Sequence, residues 1–155
     1  MRVVVKDQGN MCFKAETEKS EFTINCPQIS PVEYFLGGII TCSATDIILM
    51  PKKQGFEVTD LEVTGDAVRS DDMPRKFDKL HLSYVFNSTA QDEVALRWVM
   101  ASLETYCSTI ATIRSDVNIE FSLIYNGRVA ADHKELVSGT STVQNLDELD
   151  GCCPS

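Results

Sequence analysis

Ser30-Pro31-Val32-Glu33-Tyr34-Phe35-Leu36-Gly37-Gly38-Ile39-Ile40-Thr41-Cys42-Ser43-Ala44-Thr45-Asp46-Ile47-Ile48 is the stretch on which the fold turns. It begins as a helix begins. Ser30 has the chemistry of an N-cap, Pro31 suits the first helical position, and Glu33 stands where a capping box places its carboxylate. Behind that start, Val32, Phe35, Leu36, Ile39, Ile40, Ala44, Ile47 and Ile48 leave almost no polar face before Lys52. A helix apolar nearly all round is enclosed by other elements. Gly37-Gly38 in its middle costs about 1 kcal/mol per glycine in helix propensity, and close approach by another helix is the natural compensation. Pro51 disturbs the last turn, and Gly55 suits the position just past the end.

The segments on either side are strand-like. Before the helix, Val3 to Lys6, Met11 to Glu16 and Glu21 to Asn25 are short runs separated by Gln8-Gly9-Asn10 and Glu18-Lys19-Ser20. After it, Phe56 to Arg69 alternates loosely. Phe77 to Phe86 alternates cleanly, with Leu80, Leu82, Tyr84 and Phe86 on one face. Ser70 to Pro74 forms the hairpin-type loop between them. A second helix is predicted from about Asp92 to Glu104, a short helical stretch over Ser108 to Ile113, and a strand over Val117 to Tyr125. Past Gly127 the chain turns acidic and rich in Ser, Thr and Gly. This predicts one domain over 1–128 and a peripheral tail over 129–155.

The whole chain of 155 residues carries 14 Lys+Arg against 23 Asp+Glu, a net charge of −9. Clustered positive charge, which a nucleic-acid or anionic membrane partner requires, is missing. The uncharged stretch Tyr34–Thr45 is twelve residues long, short of the ~20 that a spanning helix needs. Lys6 and Asp7 interrupt any signal-like apolar segment. The expectation is a soluble, cytoplasmic protein with neither nucleic acid nor membrane as partner.

Six cysteines, Cys12, Cys26, Cys42, Cys107, Cys152 and Cys153, show no CxxC spacing. With only His81 and His133 as histidines, no zinc-ligand pairs are spelled out, and no metal or cofactor is expected. Cys42 lies mid-helix, and Cys107 stands near the start of a helical turn, where dipole and N–H groups favour thiolate. Cys12 and Cys26 read as packing residues, Cys152-Cys153 as part of a solvated tail, and His81 as an outer-face or interface residue. Asp46, one turn beyond Cys42, reads as a structural partner.

The motif Ser30 to Gly38 followed by Thr41-Cys42-Ser43-Ala44-Thr45-Asp46 resembles the core helix of the OsmC/Ohr family, the osmotically inducible and organic hydroperoxide resistance proteins. Arg75-Lys76-Phe77-Asp78-Lys79-Leu80-His81-Leu82 and Glu104-Thr105-Tyr106-Cys107-Ser108 resemble it too, in the same order and at similar spacing, over residues 1–126. The resemblance implies an α+β fold, with curved antiparallel sheets around two long central helices in an intertwined homodimer. It also implies a thiol peroxidase acting on organic hydroperoxides. Cys42 would be the peroxidatic thiol, Cys107 the resolving thiol and Glu33 a supporting carboxylate, with an external dithiol as reductant. Glu33 and Cys42 are nine residues apart, ~13.5 Å along one helix and on opposite sides. Glu33 can therefore serve Cys42 only from a partner subunit.

One departure from the family stands out. Its better-characterised peroxidases carry an N-terminal arginine aimed at the reactive thiol, whereas here only Arg2 precedes Arg69. Lys6 and Lys14 are the alternative cations, and neither offers a bidentate fork. Without a cation, a thiol of pKa ~8.5 is only ~3% thiolate at pH 7. The competing reading is a non-catalytic dimer of the same fold that binds a small apolar ligand at its interface.

Overall fold

The computed structural model describes residues 1–136. It divides into two compact units, Met1–Gly37 and a second unit that begins at Gly38. The first is the expected meander. Strands β1 (Val3–Asp7), β2 (Cys12–Thr17) and β3 (Glu21–Asn25) pair antiparallel in chain order. Its turns are built from side chains of the predicted type. Asp7 Oδ1 accepts from the Gly9 N–H at 2.9 Å, and Thr17 Oγ1 accepts from the Ser20 N–H at 2.9 Å.

Helix α1 (Pro31–Lys53) begins at the end of this unit. The capping box is present in both directions. Glu33 Oε2 accepts from the Ser30 N–H at 2.7 Å, and Ser30 Oγ accepts from the Glu33 N–H at 3.3 Å. At the far end the Phe56 N–H donates to the Pro51 carbonyl and the Gly55 N–H to the Lys52 carbonyl. With Gly55 at φ +82°, this is a Schellman stop.

In the second unit, β4 (Thr59–Arg69), β5 (Phe77–Asn87), β6 (Asn118–Tyr125) and β7 (Arg128–Glu135) form one sheet in the order β4-β5-β6-β7. Leu80, Leu82, Tyr84 and Phe86 are all fully buried, as their alternation requires. Between β5 and β6 the chain runs through α2 (Asp92–Ala101), a π-helical turn (Ser102–Tyr106) and α3 (Ser108–Ile113). That crossover returns the chain to the same end of the sheet, so β5 and β6 pair parallel. The expected antiparallel pairing holds everywhere but at this central pair, and the α+β OsmC-like fold stands.

Two further expectations are revised. The tail does not begin at 129, because β7 adds a fourth strand and continues the sheet to Glu135. It is an exposed edge strand with no apolar alternation, which is why its sequence reads as tail. The rest of that segment, including Cys152-Cys153, lies outside the described residues.

The other revision concerns α1. By length and composition it is apolar enough to cross a membrane. The uncharged-run criterion understates it. Its buried stripe of Ile39, Ser43, Asp46, Ile47 and Met50 nevertheless contains polar groups hydrogen-bonded to other elements, as in a water-soluble core. Among the described residues the helix is not fully enclosed. Phe35 and Ile48 are each 51% exposed, and among the described residues nothing outside the helix backbone lies within 4 Å of a Cβ built on Gly37 or Gly38.

Candidate functional site

Cys42 projects from α1 in the second unit, one residue before the buried Ser43. Cys107 ends the π-helical turn and caps α3. Its N–H donates to the Ser102 carbonyl five residues back, at 2.8 Å, and its own carbonyl accepts from Ala111 at 2.9 Å. The wide turn sets Cys107 in extended backbone, φ −71° and ψ 104°, and directs its thiol into the interior, where the residue is 1% exposed. Such turns occur mostly as single insertions in α-helices, frequently at functional sites.

The arrangement brings the two thiols together. Cys42 Sγ lies 3.9 Å from Ser108 Oγ, the residue after Cys107, Cys107 Sγ lies 3.2 Å from Thr109 Oγ1, and the Cys42 thiol is near enough to act directly on the Cys107 thiol. Burial pushes the Cys107 thiol up from an ordinary 9.0 to about 12. The Thr109 hydroxyl and the Ile110 N–H, which favour thiolate, offset this only in part. The sequence expectation that a helical start would activate this thiol is thus outweighed by desolvation.

A buried hydroxyl chain fixes the two segments against each other. Ser102 Oγ–H donates to Asp46 Oδ2 at 2.8 Å. Having spent its proton, Ser102 Oγ accepts from Ser43 at 3.0 Å, and Ser43 Oγ in turn accepts from the Tyr84 hydroxyl at 2.5 Å. Ser43, Asp46 and Ser102 are all fully buried. Burial raises the Tyr84 hydroxyl well above the usual tyrosine range, so it remains a donor. The chain ties α1, β5 and the π-helical turn together directly beside both cysteines. Asp46 is the structural partner that the sequence suggests. The hydroxyl contacts of Ser43, Tyr84 and Ser102 leave no signal in the sequence, because they span 41 to 59 residues; Tyr84 reads there only as part of the buried face of β5.

Glu33 sits in the capping box, and the two hydrogen bonds its carboxylate accepts from Ser30, from the N–H and from Oγ, both fall on Oε2. Those bonds hold its carboxyl below the ordinary glutamate value. The cations considered in place of the family arginine are engaged within their own sheet. Lys6 pairs with Glu16 at 2.6 Å and Lys14 with Glu21 at 2.6 Å.

The comparisons with known proteins agree with this architecture. The profile of the OsmC-like protein family matches residues 25–122. Protein YhfA of Escherichia coli K12 is 32% identical over 94 residues, covering 60% of this chain and 70% of that protein. The chain belongs to the OsmC/Ohr family. A hypothetical protein from Aquifex aeolicus shares the fold with a TM-score of 0.74 at 24% identity, over 81% of this chain and 95% of that one. An organic hydroperoxide resistance protein OsmC from Legionella pneumophila does so with a TM-score of 0.57 at 17% identity, over 79% and 96%. The family suggests peroxide-related redox chemistry.

Proposed function

We propose that the protein is a thiol-dependent peroxidase that reduces organic hydroperoxides, acting as a homodimer. The observation that carries this reading is the contact between the Cys42 and Cys107 thiols, delivered by two separate elements. The Cys42 thiolate attacks the terminal peroxide oxygen. An S–O bond forms, the O–O bond breaks, and the alcohol leaves with a proton, giving a sulfenic acid. The Cys107 sulfur then attacks the Cys42 sulfur, a disulfide forms, and the hydroxyl leaves as water. An external dithiol reduces the disulfide by exchange and is itself oxidised. Glu33 acts as a positioning residue toward the Cys42 of the other subunit through Oε1, the oxygen that its contacts with Ser30 do not use.

Cumene hydroperoxide added to the reduced protein should oxidise Cys42 and Cys107 to an intramolecular disulfide, read by thiol titration and peptide mass mapping. In Cys42→Ser that reaction should be lost, whereas Cys107→Ser should still consume peroxide and accumulate a sulfenic acid that dimedone traps. Equal peroxide consumption by wild type and Cys42→Ser would defeat the reading. It would favour the non-catalytic apolar-ligand dimer, which the exposed Phe35 and Ile48 also suit.

The dimer has its own test. Light scattering should return twice the 17.2 kDa chain mass. Ile48→Glu places a charge on a half-exposed site, which within one chain changes stability by only about 0.5 kcal/mol. It should nonetheless shift the protein to monomer, by burying that charge in the interface. A wild-type monomer at micromolar concentration would refute the assembly.

A further inference from the structure

The chain has two histidines, and the fold stacks one on the other. His81 on β5 and His133 on β7 flank β6, and their rings lie 4.4 Å apart, centroid to centroid, at 14° to parallel. Between them on β6 is Glu120, the cross-strand register partner of His81 and 8% exposed. A ring nitrogen of each histidine and a carboxylate oxygen of Glu120 lie within 4.8 Å of one another. The cluster occupies the face of the sheet opposite Leu80 and Leu82, separate from the thiols.

We infer that His81, Glu120 and His133 form a zinc-binding site. Two imidazoles and one carboxylate are a borderline-soft N/O set that suits Zn2+ better than Ca2+ or Mg2+, with a fourth position left to water. Glu120 is the anion of the cluster, and the Lys79 ammonium now paired with it is what a metal ion would displace. Glu120 Oε1 takes both the Lys79 ammonium and His133 Nδ1 at 2.9 Å each. Ser122 orients the histidines, as outer partners of metal ligands do: its Oγ lies 3.0 Å from His81 Nε2 and accepts from the His133 N–H at 3.0 Å.

The site can also rearrange. Tetrahedral ligands at zinc bond lengths stand roughly 3.3 Å apart, so the three donors must close by up to ~1.5 Å. The His133 side chain is 61% exposed and Lys79 44%, so the imidazole can re-aim while the ammonium withdraws to solvent. His133 is presented by an irregularity in the β6–β7 register and holds φ +42°, a conformation uncommon for a residue other than glycine. Regular pairing would not require it.

The test uses the full chain with its thiols alkylated, so that cysteine cannot ligate. Zn2+ is titrated in competition with a chromophoric chelator, and the imidazole NMR signals are followed in parallel. One equivalent should shift the signals of both histidines. His81→Ala and His133→Ala should each weaken binding about tenfold or more, and Lys79→Met should tighten it by removing the competing ammonium. Unchanged affinity in both histidine variants, or imidazole signals unmoved at one equivalent, would overturn the site. Because His133 is exposed, its variant keeps the test decisive if His81→Ala fails to fold.

Discussion

Ser102→Ala should lower the stability of the protein by about 3 kcal/mol, although it removes a single oxygen. The magnitude follows from where Ser102 sits in the buried chain. Its hydroxyl donates to Asp46 and accepts from Ser43, with no exposed surface at any of the three. Alanine takes a donor from a buried carboxyl and the acceptor from a buried hydroxyl together. Tyr84→Phe removes only the terminal donor of the same chain, leaving one acceptor lone pair on Ser43 unmatched, and should cost ~1 kcal/mol. For a chain of this size the first change corresponds to a fall in melting temperature of ~6–12 °C and the second to ~2–4 °C. Thermal unfolding of the two variants separates them. Equal losses would mean that the hydroxyls act singly and not as a directed chain. Because the chain anchors both thiol-bearing segments, Ser102→Ala should also slow disulfide formation at temperatures where the variant is folded.

How legible these features are in the sequence depends on the range of the forces behind them. The capping box of Ser30 and Glu33 and the stop at Gly55 are settled by neighbours within a turn, so residue type alone reveals them. Leu80, Leu82, Tyr84 and Phe86 reveal their face because one side of β5 is wholly buried. Strand β7 has no such side. Its residues are exposed or half-buried, so the hydrogen bonds to β6 that hold it leave no apolar period to read. The π-helical turn is equally silent, since Ser102 to Tyr106 looks like the continuation of α2 until the Cys107 N–H selects the carbonyl five residues back. That one extra residue turns Cys107 inward. The pair of thiols could therefore be named through family resemblance, but the inward turn and buried setting of Cys107 could not be seen. Tertiary pairing decides the rest: the His81–His133 stack spans 52 residues of sequence, and neither histidine has a cysteine or a second histidine at short ligand spacing.

The disulfide step should accelerate about tenfold for each unit of pH between 6 and 9. This follows from the Cys107 thiol, which burial pushes up to about 12. Far below its pKa the thiolate fraction of such a group rises tenfold per unit, and the thiolate is the species that attacks a sulfenic sulfur. Once Cys42 is oxidised its charge no longer opposes Cys107, yet burial, the largest cause of the shift, persists. A buffered stopped-flow series, with dimedone competing for the sulfenic acid, reads the step directly: more trapped adduct at pH 6 and more disulfide at pH 9. Thr109→Val removes a hydroxyl that favours the thiolate, at 3.2 Å, and should lower the rate across the range without changing the slope. The same shift acts on stability with a defined sign. The folded protein holds the Cys107 proton more tightly than the unfolded chain. The stabilisation is therefore complete below the ordinary thiol pKa of 9.0 and is lost as pH rises toward 12. Faster chemistry and weaker folding are thus expected together on the alkaline side, from one buried thiol. A disulfide rate that reaches a plateau near pH 7 would show that Cys107 ionises there, and that the N–H and hydroxyl contacts at the start of α3 outweigh its burial.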